Sequence, residues 1–195
     1  MRTRTTIVTT ALSLALGGSV LTLGSHSAQA QEGTVRGVQS TAMTQSGQLA
    51  ANDYNFLEKA ARIDAEEVQV GKLAQEKGDS QAVRNFGERM IRDHSDNAAK
   101  LRSLASAKGA TIPAEMAERE NTTVQQLSGV SGPEFDRTFA QDMVQGHTDA
   151  IKEFQQAAES LSDPGVREYA KNTLPTLKEH LRMAKDMQSS VQNEK

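Results

Sequence analysis

Apolar residues recur every three to four positions along four long stretches of this chain, and that spacing predicts four amphipathic helices. The first is expected from about Asp53 to Lys77. The second is expected to begin at a cap on Asp79 or Ser80 and to continue to about Lys108. Because only a very short turn separates them, we expect these two helices to be antiparallel neighbours.

A capping box predicts the start of the third helix, with Ser131 and Glu134 on either side of Pro133. The turn at 162–164 ends that helix and caps the fourth, which Pro175 is expected to kink. Residues 109–132 form a connection that is too long for a simple hairpin but long enough to travel the length of a bundle. The expected fold is all-α: a ferritin-like, up-down four-helix bundle with a long crossover between the second and third helices.

The two predicted hairpins also resemble each other in sequence. The start of the second helix, Asp79, Val83, Arg84 and Phe86, corresponds to the start of the fourth, Asp163, Val166, Arg167 and Tyr169. Each of these helices carries a histidine near its middle.

Each apolar stripe has one polar residue near its middle. The stripe of the first helix consists of Phe56, Ala60, Ile63, Glu67, Val70 and Ala74. The other three stripes contribute His94, His147 and His180. At about 1.5 Å of rise per residue, their distances from the turns place all four near mid-height. A rotated first helix would present Glu66 in place of Glu67.

Imidazole and carboxylate groups that meet in a dry interior are typical ligands of a divalent metal such as Zn, Fe, Mn or Cu. We therefore interpret Glu67, His94, His147 and His180 as candidate ligands of one ion. Three methionines close to the histidines in sequence, Met90, Met143 and Met183, would favour copper if they joined the site. Three carboxylates are candidates for orienting the rings, namely Asp93, Asp142 and Glu179.

A di-iron centre is disfavoured, because it needs two E-x-x-H motifs and the residues three before each histidine are Ile91, Val144 and Leu177. The competing interpretation is structural. A buried glutamate that pairs with protonated histidine would form a polar network that fixes the register of the helices. In that case the methionines fill space in the core. Whether the protein is an enzyme stays open, and the sequence leans against it.

The N-terminus predicts export. Residues 1–30 combine two arginines, an apolar stretch and an A-x-A cleavage site, which together are typical of a secretory signal peptide. Residues 31–52 are rich in Gln, Ser, Thr and Gly and indicate a disordered linker. The bundle is expected over 53–190 and a polar tail over 191–195. We expect a periplasmic, outer-membrane-associated or secreted protein, without a membrane span in the mature chain.

Composition excludes several alternatives. The formal net charge is −3 and no long basic run is present, so nucleic acid is not an expected partner. Cysteine is absent, which excludes disulfides, thiolate metal ligands and a thiol nucleophile. The sequence also lacks a phosphate-binding glycine loop and a nucleophile elbow. The oligomeric state is left open.

Several segments of this chain resemble one known family. The similar segments begin at Phe56, Glu67, Met90, Asp142 and Thr173, and the most specific of them is Leu-Pro-x-Leu-x-x-His-Leu around His180. They resemble the DUF4142 family, whose members are exported bacterial proteins often labelled outer-membrane or membrane proteins. The resemblance covers about Asp53 to Met187, and it implies export and a ferritin-like fold without implying an activity.

Two functional hypotheses follow. The first is an exported protein that binds one divalent metal through its mid-bundle Glu/His layer and acts in metal or stress handling. The second is a non-enzymatic envelope or interaction protein in which the same layer is a buried polar network.

Overall fold

The computed structural model describes residues 49–112 and 122–193, and these ranges contain only helices and their connections. The predicted signal peptide, most of the expected linker and the last two residues lie outside them. The elements are α1 (Ala51–Lys77), α2 (Gln81–Ala107), α3 (Thr122–Ser128), α4 (Gly132–Ser160) and α5 (Pro164–Asn193). The prediction of an all-α helical bundle is confirmed. No helix in the described ranges has the length and apolar character that crossing a bilayer requires.

The helices pair as two hairpins. α1 packs along α2, and α4 packs along α5, while smaller interfaces join α2 to α5 and α1 to α4. The short α3 lies in the long connection and packs against α1 and α4. Because α1 and α2 are separated only by residues 78–80, and α4 and α5 only by 161–163, each pair is antiparallel.

Each turn is tied by an aspartate from the other hairpin. Asp136, in the first turns of α4, accepts hydrogen bonds from the backbone N–H groups of residues 79–80 at 2.9 and 2.7 Å. Asp53, near the start of α1, accepts from the N–H groups of residues 162–163, both at 3.0 Å. Both aspartates are buried. The two hairpins therefore close each other's turns.

Two of the three helix caps predicted from the sequence form in the structure. The Ser80 side chain accepts a hydrogen bond from the Val83 N–H at 3.3 Å, as a helix cap should. Asp163 caps α5 through the N–H groups of residues 165 and 166. The capping box expected at Ser131 does not form, because that side chain makes no cap hydrogen bond, although Pro133 does occupy the first turn of α4.

The C-terminal helix is longer than expected. The sequence indicated a polar tail from residue 191, whereas α5 continues to Asn193 and Val191 is buried. Val191 continues the apolar stripe of Ala184 and Met187 at helical spacing, which explains the extra turn. α5 also continues through Pro175.

Two apolar clusters fill the bundle on either side of its middle. One is centred on Phe56, Phe154 and Tyr169, whose rings contact one another edge-on or tilted. The other is centred on Phe86 and Phe139. Glu67, His94, His147 and His180 each lie in sequence between members of one cluster and members of the other. The polar layer is thus enclosed by hydrocarbon above and below.

The first hairpin is unusually close-packed at one point. A Cβ added to Gly87 would lie 2.6 Å from the Gly71 carbonyl oxygen, and a Cβ added to Gly71 would lie 2.8 Å from the Gly87 carbonyl oxygen. Only glycine at both positions lets the backbones of α1 and α2 approach this closely.

Candidate metal centre

Three histidines from three helices meet in the middle of the bundle. His94 comes from α2, His147 from α4 and His180 from α5, and one ring nitrogen of each lies within 4.8 Å of the others. The ring centroids are 5.3 to 6.0 Å apart. The three residues, which we call the histidine trio, are 3%, 1% and 0% exposed.

Each ring of the trio is held through one nitrogen. The hydrogen bonds join His94 Nδ1 to Asp64 Oδ1 (2.8 Å), His147 Nδ1 to the Met143 carbonyl (2.9 Å) and His180 Nε2 to Asp93 Oδ2 (3.0 Å). A carbonyl oxygen can only accept, so Nδ1 of His147 carries the proton. The two carboxylates fix the other tautomers in the same way when the rings are neutral.

The second nitrogen of each ring has no hydrogen-bond partner among the described residues. These atoms are His94 Nε2, His147 Nε2 and His180 Nδ1, and all are buried. In the neutral tautomers just described, each of them presents a lone pair. A buried polar atom without a partner costs about 1–3 kcal/mol, so three of them in one place require an explanation.

The pKa values of the three rings are shifted in different directions. Burial lowers the pKa of His180 to about 4, although its hydrogen bond to Asp93 acts in the opposite direction. Burial also lowers the pKa of His147. Burial acts on His94 too, but the hydrogen bond to Asp64 and the negative charge of Glu67 outweigh it, and the pKa of His94 is raised above 6.5.

Glu67 lies beside the trio but outside the group of mutually close ligand atoms. It is buried, whereas Glu66 is half-buried, so Glu67 is the inward member of the pair. Its Oε2 atom has no hydrogen-bond partner within the described ranges. Its Oε1 atom is 3.9 Å from the point where Gly146 of α4 would carry a Cβ. Its charge contributes to the raised pKa of His94 and opposes the lowering of the His147 pKa by burial, so it is electrostatically coupled to both rings.

The methionines belong to the neighbouring apolar cluster. Met90 and Met143 are buried in the cluster around Phe86, and Met183 is partly buried against it. Met143 contacts the trio through its backbone oxygen. Phe86 itself packs edge-on against His147 and His180, with centroids 6.3 and 6.5 Å away.

The three carboxylates considered for orienting the rings have different positions. Asp93 contacts His180 on the neighbouring helix and also pairs with Arg89 and Arg92. Glu179 pairs with Arg182 at the surface. Asp142 Oδ2 is buried, and its pKa is raised by burial and by the charge of Glu66.

The sequence interpretation missed a polar network that extends the site. Asn97 donates from its side chain to both oxygens of Asp64, at 3.0 and 2.9 Å, and to the Tyr169 hydroxyl at 2.7 Å. Thr173 donates to the Asn97 side-chain oxygen at 3.2 Å. Asp64 is 2% exposed. A stripe drawn through 57, 60, 64, 67, 71 and 74 has the same 3–4 spacing and would have found it.

A cleft of about 410 Å³ between α2 and α5 reaches the trio from one side. His94 and His180 are both part of its lining. So are the network residues Asn97, Tyr169 and Thr173. The exposed Lys100 and the half-exposed Arg89 lie where the cleft meets solvent.

Fold and site together define a class: an all-α bundle with a cluster of three buried histidines between its helices. The chain belongs to the DUF4142 family, a domain of unknown function whose model matches residues 38–187. The crystal structure of a DUF305 fragment from Deinococcus radiodurans is similar, with a TM-score of 0.63 and 14% identity. The match covers 73% of this chain and 99% of the fragment, and it shows a shared fold. No curated protein matches significantly.

Proposed function

We propose that this protein binds a single divalent transition-metal ion through His94, His147 and His180, and that it handles metal or metal-related stress outside the cytoplasm. The single observation that supports it best is that the two nitrogens of each ring have different surroundings. One nitrogen is held by an acceptor, the other is buried without a partner among the described residues, and one nitrogen of each ring lies within 4.8 Å of the others. Metal-binding histidines have this arrangement.

The distances are compatible with an ion. Nitrogen ligands at about 2.0–2.1 Å from a tetrahedral zinc lie about 3.3 Å from one another. One ring nitrogen of each member of the trio lies within 4.8 Å of the other two, so small ring rotations would bring these atoms to that spacing. Three imidazoles favour Zn, Cu or Fe over Mg and Ca, which prefer oxygen.

The surroundings supply the compensating charge. Asp64 and Asp93 contact two of the rings, and Glu67 lies close enough to shift the pKa values of His94 and His147. A dipositive ion would therefore have negative partners in a site whose three rings are buried. In this proposal Glu67 is a nearby charge, or a fourth ligand after a change of rotamer.

The second candidate is a structural polar network, and one observation favours it. The raised pKa of His94 means that this ring can keep a second proton, which its Nε2 atom would donate to a neighbouring ring. A proton would then occupy the place that we assign to a metal. Both functions use the same residues, so the bound metal and its effect on stability separate them.

Elemental analysis of protein purified without a nickel column tests the proposal. We expect about one metal ion per chain in the native protein, and loss of that ion in His147→Ala. Met90→Leu is the matched control, because it changes a buried neighbour of similar volume that is not a ligand. Absence of metal from the native protein, together with no uptake by the metal-free form, would contradict the metal function. Equal thermal stability with and without metal would favour the network.

The finer architecture and the location are part of the same proposal. We infer a ferritin-like four-helix topology from the two hairpins and the long connection that carries α3. We infer export from the signal sequence at 1–30. Mass spectrometry of the mature chain tests the latter, because cleavage after Ala30 leaves Gln31 as the first residue.

A further inference from the structure

The cleft between α2 and α5 reaches the histidine trio. Two of the three rings, His94 and His180, belong to its lining, although both are buried. Its volume of about 410 Å³ is within the usual range for small-molecule pockets. A water molecule needs only about 30 Å³, so the cleft has room for water together with a small anion.

Several polar side chains in the walls of the cleft are held in place by hydrogen bonds. Asn97 is held by Asp64 and Tyr169, and Thr173 is held by Asn97 and by the Tyr169 carbonyl. Hydrogen bonds therefore set the position of these side chains before any ligand arrives. Arg89 and Lys100 lie at the outer end of the cleft together with the carboxylates of Asp93 and Asp96, so charges of both signs flank the path of an entering ligand.

We propose that this cleft is the ligand port of the metal centre, through which water or a small anion reaches the fourth coordination position of the bound ion. The inference rests on the proposed function. Three protein ligands leave one position free on a tetrahedral ion, which is the pattern of reactive zinc sites, whereas structural sites have four protein ligands.

The position of Glu67 is consistent with this port. Glu67 belongs to α1 and lies beside Gly146 of α4, while the cleft lies between α2 and α5. Since α1 contacts α2 and α4, and α5 contacts the same two helices, Glu67 and the cleft are on opposite sides of the trio. An exogenous ligand that enters through the cleft does not have to displace Glu67.

Cobalt and azide provide the test. Co²⁺ replaces zinc in sites of this type, and its visible absorption reports a change of ligand. We expect full-length protein loaded with Co²⁺ to show a saturable spectral change on titration with azide. Thr176→Phe, which places a ring in the cleft wall, should weaken azide binding by about tenfold or more while Co²⁺ affinity stays within about twofold.

The matched control is Lys178→Phe, which adds the same ring to an exposed position of α5 that is not part of the cleft. It should leave both affinities unchanged. A Co²⁺ spectrum that azide does not change overturns the port, as does equal azide binding by Thr176→Phe and the unmodified protein. An azide response that emerges only in Glu67→Gln also overturns it, because Glu67 would then be the fourth ligand. Failure to bind Co²⁺ at all contradicts the proposed function itself.

Discussion

The two helix hairpins have the same devices at their turns and different side chains at their centres. Asp53 of the first hairpin and Asp136 of the second each tie the turn of the opposite hairpin. Arg84 and Arg167 are separated in sequence by the same interval as those aspartates, and each donates to two carbonyl oxygens of its own turn. Residues that define the fold are therefore repeated at a constant offset.

At the centre the same offset relates unlike residues. It pairs Asp64 with His147 and Asn97 with His180, while the position that corresponds to His94 is Leu177. The first hairpin contributes one ring together with Asp64 and Asn97 of the polar network, and the second contributes two rings together with Tyr169 and Thr173. The two hairpins therefore have equivalent residues at their turns. The candidate site uses positions at which the equivalent residues of the two hairpins differ.

Removing a turn tie should have the largest effect on stability. We expect Asp136→Ala and Asp53→Ala each to lower the free energy of unfolding by about 3 kcal/mol, since each removes a buried carboxylate that accepts two backbone N–H groups. Urea denaturation followed by circular dichroism measures it. Asp149→Ala, at an exposed site on α4, should have no measurable effect. A large loss in only one of the two tie variants would show that the turns are not equivalent.

A smaller effect is expected at the centre, on metal affinity. Asp64→Ala should weaken metal binding by about 10- to 100-fold, because Asp64 fixes the tautomer and orientation of His94 without being a ligand. Competition with a chelator of known affinity measures the change. Asp93→Ala is the counterpart for His180, and it should have an effect near the lower end of that range because Asp93 is partly exposed. An unchanged metal affinity in Asp64→Ala would show that this carboxylate does not contribute to metal binding.

The close contact between α1 and α2 can be broken without touching the site. Gly87→Ala should destabilise the protein by about 1–2 kcal/mol, because the added Cβ pushes the Gly71 backbone away and better helix propensity offsets only part of that cost. The corresponding position of the second hairpin is Ala170, which already carries a Cβ. Gly129→Ala is the control, since its Cβ would meet only ordinary contacts. Thermal melts of the two variants would coincide if the close approach were unimportant.

The smallest expected effect is a pH dependence, in which His94 of the first hairpin and His180 of the second titrate in different pH ranges. In metal-free protein we expect His180 to titrate near pH 4 and His94 above 6.5, because burial dominates in one and the carboxylates dominate in the other. NMR of the ring carbons during a pH titration measures both values. A pKa of His94 below that of His180 would contradict the assignment.

These shifts have opposite consequences for stability. A lowered pKa means that the unfolded state binds more protons, so the stability linked to His180 is lost as the pH falls from about 6.5 towards 4. The contribution of His94 is complete below 6.5 and is lost as the pH rises through its raised pKa. Because the two partly cancel, we expect only a modest slope near neutral pH, and His180→Ala should reduce the loss on the acid side.

The sequence predicted the long helices because their apolar spacing is regular and their turns contain strong stop signals. It also singled out His94, His147 and His180, since a histidine on an apolar stripe is conspicuous. Asp64 was missed because a carboxylate at helical spacing is ordinarily assigned to a solvated face, and Ile63 took its place in the stripe. In the structure Asp64 is buried and Ile63 is only half-buried.

Other features depend on how the hairpins meet and have no local signature. The bond from Asp93 to His180 joins residues 87 positions apart, and the cleft exists only because α2 and α5 come together. The backbone partners of Asp136 lie 56 and 57 positions away in sequence, and those of Asp53 lie 109 and 110 positions away. Periodicity identifies which face of a helix is buried, but it does not determine which residue of another helix it meets.

The exchanged turn ties also bear on how quickly the chain reaches its final state. The N–H groups at 79–80 are satisfied by a carboxylate up to 57 residues away, and those at 162–163 by one up to 110 residues away. A hairpin that forms alone lacks the carboxylate that accepts hydrogen bonds from its turn. We therefore expect these hydrogen bonds to form in the same step in which the two hairpins dock. The rate-limiting step should therefore involve contacts distant in sequence, and this bundle should fold more slowly than a helical protein with local turns.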